Sequence, residues 1–414
     1  MTNELIMSHL TDQSYKYRLT PGAVNSSKPF IIALVAFLGI TIMGCDTGPA
    51  DSLYDADRVS AADPVVSSVD PPVSALAGVD VVTITGQNFS SDPASNLVYF
   101  DDARAEILSA STTVLQVLAP NTPGSDIVLK LSVIGAENYT NDILYELLPA
   151  AEDFGDITAF EEPFALTSDT QGDLYVSLYS DGISVGIVRF APDGSRSSFV
   201  ETTFKWDSMV FGPDDLLYTV RSVRAIFRFE EGGSQQVWGV IPNSAVKLTA
   251  ITFDASGNVW AGGNNDDIYS ISPDKSITAS PFIGNVRALI VFEGNLYAAA
   301  TQNGDSKIWK FSISGTSLGP AEQYFDVTAL NGSEAVSLAF ATNGDLFVGT
   351  DAVEPVIVVS PGGGAGESLY PGVLDPVGLS LAWGNGPTLY MTRGRTSVTT
   401  PNIISINTRR EGAH

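Results

Sequence analysis

Histidine and cysteine are almost missing from this chain of 414 residues. There are two histidines, His9 and His414, and one cysteine, Cys45. A Ser-His-Asp triad, a Cys-His dyad and a histidine-based metal site all lack a member. One cysteine leaves no intrachain disulfide and no thiolate cluster. Positive charge is also scarce: 21 Lys and Arg stand against 47 Asp and Glu, a formal net charge of −26. Such a surface repels phosphate backbones, so nucleic acid is excluded as a partner. A P-loop is absent as well. Gly362-Gly363-Gly364-Ala365-Gly366 is glycine-rich, but it joins two expected strands and lacks the Lys and the helix that a phosphate site uses.

The apolar runs that exist are short. The longest opens the chain: Lys16, Arg18 and Lys28 precede Phe30 to Ile42. That run is short for a membrane span and suits a secretory signal. It ends Ile42-Met43-Gly44-Cys45, which resembles the lipobox of bacterial lipoproteins. The resemblance implies a signal peptide over residues 1–44 and a diacylated Cys45 that ties the protein to a membrane. The thiol is the nucleophile that takes the lipid, and a small residue must precede the cut. Small and polar residues over 45–63 then read as a flexible tether. Asp46 resembles an inner-membrane retention signal in some Gram-negative bacteria. Acidic residues near the cysteine resemble a surface-export signal in others, so both envelope locations stay open.

Residues 64–148 alternate with period two. Expected strands near 65–69, 81–85, 96–100, 105–109, 114–118, 127–133 and 143–147 are separated by Pro, Asp, Asn and Gly turns. Short strands at this spacing indicate a two-sheet sandwich. The residues Asp70-Pro71-Pro72, Gly78, Ile84-Thr85-Gly86-Gln87-Asn88-Phe89, Val98-Tyr99-Phe100 and Val117-Leu118-Ala119-Pro120 resemble the IPT/TIG family. This implies an immunoglobulin-like spacer or binding module without catalytic residues. Gly86 is expected to supply a positive-φ bend that returns Phe89 to the core.

Beyond residue 150 one phrase comes back six times: a turn with Gly and Asp or Asn, then an aliphatic, an aromatic and a small or β-branched residue. Its aliphatic anchors are Leu174, Leu217, Val259, Leu296, Leu346 and Leu389, roughly 40 residues apart as in propeller blades. Each anchor strand has an apolar strand before it, a third strand after it and a polar fourth strand. The fold class read from the sequence is all-β: an immunoglobulin-like sandwich followed by a six-bladed β-propeller over 151–410. The sixth repeat stops after its third strand, so Gly155 to Phe160 is expected to complete it and close the ring. The aromatics Tyr175, Tyr218, Trp260, Tyr297, Phe347 and Tyr390 share one register and are expected to pack between blades.

This repeat grammar resembles the NHL and gluconolactonase-like six-bladed propellers. The latter imply a divalent metal held in the central channel by Glu, Asn and Asp. Glu161 matches the family's Glu, but Val377 replaces its Asn, and Lys247-Leu248-Thr249-Ala250-Ile251 lacks its Asp. A hard cation needs several oxygens, and an apolar residue supplies none. No catalytic residue, metal ligand or cofactor is assigned. Residues placed just before the innermost strands are the candidate ligand contacts: Glu162, Lys205, Asp207, Lys247, Arg287 and Glu334. A mouth of mixed charge can hydrogen-bond a sugar or a small anion. The resulting expectation is a lipid-anchored envelope protein that binds a glycan, a peptide or a protein partner. The alternative is a metal-dependent lactonase or ester hydrolase.

Overall fold

A computed structural model describes residues 59–413. The expected signal peptide, Cys45 and all but the end of the tether lie outside the described residues. Among the described residues no helix is long and apolar enough to cross a membrane.

The sandwich has two sheets. One joins Val65–Asp70, Val81–Gln87, Val114–Leu118 and Glu106–Ala110, in that spatial order. The other joins Ser74–Leu76, Ile143–Leu148, Gly124–Val133, Asn96–Phe100 and Ala103–Arg104. Alternation sends Val82, Ile84, Leu115 and Val117 of the first sheet inward against Val98, Phe100, Leu129 and Leu131 of the second. Gly86 departs from expectation. Its φ is not positive; the left-handed residue is Asn88, at φ 63°. Glycine is needed at 86 for closeness instead: a Cβ would lie 2.0 Å from the Val65 carbonyl oxygen and 2.5 Å from the Phe89 ring.

Six blades follow. Blade 1 runs through Glu161–Ser168, Leu174–Ser180, Ile183–Phe190 and Arg196–Val200 in simple antiparallel order. Blade 2 (Ser208–Phe211 to Gln236–Val240) and blade 5 (Ala335–Phe340 to Gly366–Ser368) repeat it. Blades 3 and 4 are one continuous sheet. The strand Ile277–Phe292 pairs through 277–281 with the third strand of blade 3, then becomes the innermost strand of blade 4 through 285–292. Blade 6 takes Gly378–Trp383, Thr388–Arg393 and Asn402–Asn407 from the chain end, and its fourth strand from before blade 1.

That closing strand is Ala151–Phe154, registered against Ile403 to Ile406. The closure is of the expected kind, but the residues are not 155–160. Phe154 explains the offset: its ring lies 4.6 Å from Tyr390 and 6.4 Å from Phe190, between blades 6 and 1. Gly155, at φ 71°, then turns the chain out of the sheet, and a Cβ there would meet the Phe190 ring at 2.7 Å. Arg393, almost fully buried, reaches Asp153 of the closing strand and Asp375 at 3.3 and 3.2 Å.

The repeated phrase has a clear local role. In blade 3 the Asp254 carboxylate accepts from the backbone N–H of Ser256 and Asn258, and from Trp260 Nε1 at 2.9 Å. In blades 1 and 2, Asp169 and Asp214 likewise accept from Tyr175 and Tyr218. In these three blades the aromatic thus satisfies its polar tip in its own turn. Tyr175 and Tyr218 then pack edge-on against the next blade, 4.7 Å from Phe211 and 4.9 Å from Phe253. Burial pushes the Tyr218 hydroxyl up to about 12, and the bond to Asp214 adds to it.

Candidate functional site

Each innermost strand begins at one end of the propeller, here termed the upper face, and descends along the axis. A cavity of about 670 Å³ occupies the axis and is lined by the innermost strands of all six blades. Its walls have a regular order. Leu166, Met209, Ile251, Leu289, Leu338 and Leu381 each pair with the residue two beyond the anchor of their blade. These six aliphatic side chains share one level and are all buried. One step nearer the upper face are three serines. Ser208 Oγ accepts from the Ile251 N–H and Ser380 Oγ from the Leu166 N–H, each to the next blade. Ser337 Oγ is buried without a partner. The middle of the channel is therefore apolar, with hydroxyls used chiefly to stitch neighbouring blades.

The six candidate residues all lie at the upper end, but they do not converge. Asp207 and Arg287 line the channel mouth. Asp207 accepts from Ser222 Oγ at 2.8 Å. Arg287 lies 3.8 Å from Glu334, which also accepts from Thr301 Oγ1 at 2.7 Å. Glu162 is outside the channel lining, pairs with Arg395 at 2.6 Å, and borders a separate hollow of about 300 Å³. Lys205 places its Nζ 4.1 Å from the centre of the Phe164 ring. Lys247 is exposed on the rim. The arrangement is a set of rim charges around a channel with an apolar middle, rather than one chelating or catalytic cluster.

The residues implied by the lactonase resemblance do not fit a channel metal. Glu161 is buried, and its carboxylate receives Arg196 Nη1 and Nη2 at 3.0 and 2.9 Å and the Thr158 N–H at 2.9 Å. Burial pushes this carboxyl up, but the Arg196 and Thr158 bonds outweigh it and hold it below the usual range. It is absent from the channel wall, and Val377 offers no side-chain oxygen. Among the described residues no group of three or more His, Cys, Asp or Glu is placed to hold a metal ion.

Residues that the sequence reasoning passed over mark the upper face more clearly. Phe160 and Ile183 of blade 1, Phe204 of blade 2, and Val353 and Val398 of blades 5 and 6 are exposed there. Ile283 and Leu330, at the entries to blades 4 and 5, are exposed at the same end. Of the propeller's other exposed large apolar side chains among the described residues, Val237 and Val240 lie on the outer strand of blade 2. None lies in the loops of the lower face. A strand-and-turn pattern carries no signal for this, since each residue stands alone in a polar loop.

The sandwich meets the propeller elsewhere. Asp80 pairs with Arg409, and a Cβ on Gly78 would lie 2.9 Å from Val373. Arg409 follows Asn407, which pairs with Thr388 at the lower end of blade 6. Val373 lies in the connection from Gly366–Ser368 to Gly378–Trp383, so the sandwich sits against the flank of blades 5 and 6.

Comparison with known proteins agrees with this architecture. Residues 64–146 match the IPT/TIG domain family. No curated protein matches the chain. A putative phosphatase from Bacteroides thetaiotaomicron VPI-5482 has a similar structure, with TM-score 0.54 at 9% identity over 85% of this chain and 98% of its own. A structural-genomics protein of unknown function from the same organism has TM-score 0.50 at 13% identity over 86% and 99%. A putative gluconolactonase has TM-score 0.50 at 16% identity, over 64% of this chain and 93% of its own. At these identities the likeness is one of fold.

Proposed function

We propose that the chain is a lipid-anchored binding protein of the bacterial cell envelope. Its upper propeller face takes a glycan, a peptide or a protein partner, and the sandwich and tether hold that face off the membrane. The observation that carries the reading is the one-sided distribution of exposed apolar side chains. Burying an apolar side chain is favourable, and leaving several exposed on one face of a soluble domain marks an interaction surface.

The test is a glycan array together with recovery of envelope partners, run on the wild type and on Ile183→Ser/Val398→Ser. Capture by the wild type that the double variant loses supports the reading. A wild type that binds no glycan and recovers no envelope partner overturns it. Cys45→Ser is expected to move the protein from the membrane fraction to the soluble fraction; retention in the membrane fraction overturns the anchor. Lactone turnover abolished by EDTA would replace binding with the hydrolase reading, against the engagement of Glu161 by Arg196.

A further inference from the structure

Arg221 is set apart from the other arginines of the propeller. Arg189, Arg196, Arg287, Arg393, Arg395, Arg409 and Arg410 each face a carboxylate. Arg224 and Arg228 donate to neutral acceptors, the carbonyls of Ile241 and Pro242 and the side chain of Gln236. Arg221 has no acceptor among the described residues. Its guanidinium carbon lies 3.7 Å from the centre of the Phe204 ring, 5.4 Å from Phe227 and 5.9 Å from Trp206. Its Nε is buried without a partner, whereas the Nη groups are outside that buried set. The aromatic rings thus hold the guanidinium in place, and its outer N–H groups are left unspent. A fixed guanidinium fork suits the two oxygens of a planar carboxylate.

Lys205 lies beside it in the same blade, over Phe164 and without an ion pair among the described residues. The Asp207 N–H donates to the Val220 carbonyl, which brings Arg221 next to Asp207. The Asp207 carboxylate is taken by Ser222. Ser184 Oγ donates to the Phe204 carbonyl at 3.3 Å and so joins this cluster to blade 1. There the 300 Å³ hollow is walled by Phe160, Tyr179 and Arg395. Phe164, under Lys205, stands edge-on to Tyr179 at 5.9 Å. Across blades 1 and 2 the rim therefore alternates aromatic faces with cations. The apolar C–H face of a pyranose ring lies well on an exposed aromatic.

We propose that this strip is a subsite for an acidic oligosaccharide, with Phe160 and Phe204 under sugar rings and Arg221 and Lys205 on uronate carboxylates. It rests on the binding-protein reading and names the ligand class for that face. Calorimetric titration of the protein with tetragalacturonate and with its methyl ester separates charge from shape, because esterification leaves the rings unchanged. The acid is expected to bind at least tenfold more tightly than the ester, and to weaken steeply in 0.5 M NaCl. Arg221→Gln is expected to lose that tenfold preference. Lys205→Gln, at an exposed position, is expected to lose part of it with thermal stability unchanged, which guards against a folding defect in the first variant. Equal binding of acid and ester, unaltered by either variant, overturns the subsite and leaves the binding reading standing. Failure of both saccharides overturns the subsite, and the wider reading is then judged by the array and partner recovery. Competition by a polyglutamate peptide at the affinity of the uronate overturns the assignment to glycans.

Discussion

Arg409, two residues beyond the last strand of blade 6, is paired with Asp80 of the sandwich. The Asp80 carboxylate also accepts from the Leu76 N–H at 2.6 Å, so one acid orders its own loop and holds the neighbouring domain. Asp80 is buried and Arg409 half exposed. Asp80→Ala is expected to cost about 1–3 kcal/mol, since the Leu76 N–H then loses its acceptor. Arg409→Ala is expected to cost no more than about 1 kcal/mol, as for an ion pair open to water. Urea unfolding measures both. Small-angle scattering is expected to show a wider spread of sandwich positions in both variants; unchanged profiles would sink the holding role of this pair.

Ring closure rests on Phe154. Phe154→Ala removes a half-buried ring lodged between Tyr390 and Phe190 and is expected to destabilise by about 1–3 kcal/mol. A chain shortened to begin at Gly155 is expected to lose the cooperative thermal transition altogether. A matching chain that begins at Ala151 is expected to keep it. Equal melting of the two would show that residues 151–154 do not fasten the ring.

Glu161 and Arg196 give a pH signature. The folded carboxyl sits below its ordinary value, so its stabilisation is complete above the unfolded pKa of about 4.5 and is lost as the pH falls through the folded value. Glu161→Gln is expected to be less stable than the wild type by about 1–3 kcal/mol at pH 7, a range reduced for the partly open Arg196. The gap is expected to close below about pH 4. A gap that persists unchanged at pH 3 would assign the effect to packing instead.

Lys275 is the converse case. Its Nζ lies 3.1 Å from the centre of the Trp238 ring, across the junction of blades 2 and 3. Burial, followed by repulsion from Arg228, pushes the amine down to about 8. Lys275 is exposed as a whole, so this burial is that of the amine against the ring, whose face favours the ammonium and opposes the shift. Because the charged form is the disfavoured one, the folded state gains stability as the pH rises from about 8 towards the unfolded value of 10.5. Lys275→Met is expected to be the more stable protein at pH 7, with the advantage vanishing near the unfolded value. A fluorescence titration of wild type minus variant should show a step in Trp238 emission near pH 8. No step would sink the assignment.

Much of the architecture could be read from the chain because each repeat states its own turn and strand. Leu174, Leu217 and their equivalents must be buried, and the Asp or Asn beside them must cap a turn, so composition and spacing are locally enforced. The closing strand was legible in kind but misplaced by four residues, because its identity depends on where Phe154 fits between two blades distant in sequence. Gly86 was read for its backbone freedom, whereas its constraint is the nearness of Val65. The candidate site was the least legible part. Glu162, Asp207 and Glu334 were chosen by position before a strand, and the structure spends them on Arg395, Ser222 and Arg287. What distinguishes Arg221 is the lack of any acceptor among the described residues, a property of three-dimensional surroundings with no trace in the local sequence.

The unbroken strand Ile277–Phe292 gives the toroid a direction of stiffness. Two sectors share one backbone and the hydrogen bonds on either side of it, so they cannot swing apart about a loop as their neighbours can. Any widening of the axial passage must open at the other seams, and the seam opposite, where blade 6 meets blade 1, is held by a four-residue strand. The ring is thus built as a rigid double sector facing a latch, and strain applied to it will collect at the latch.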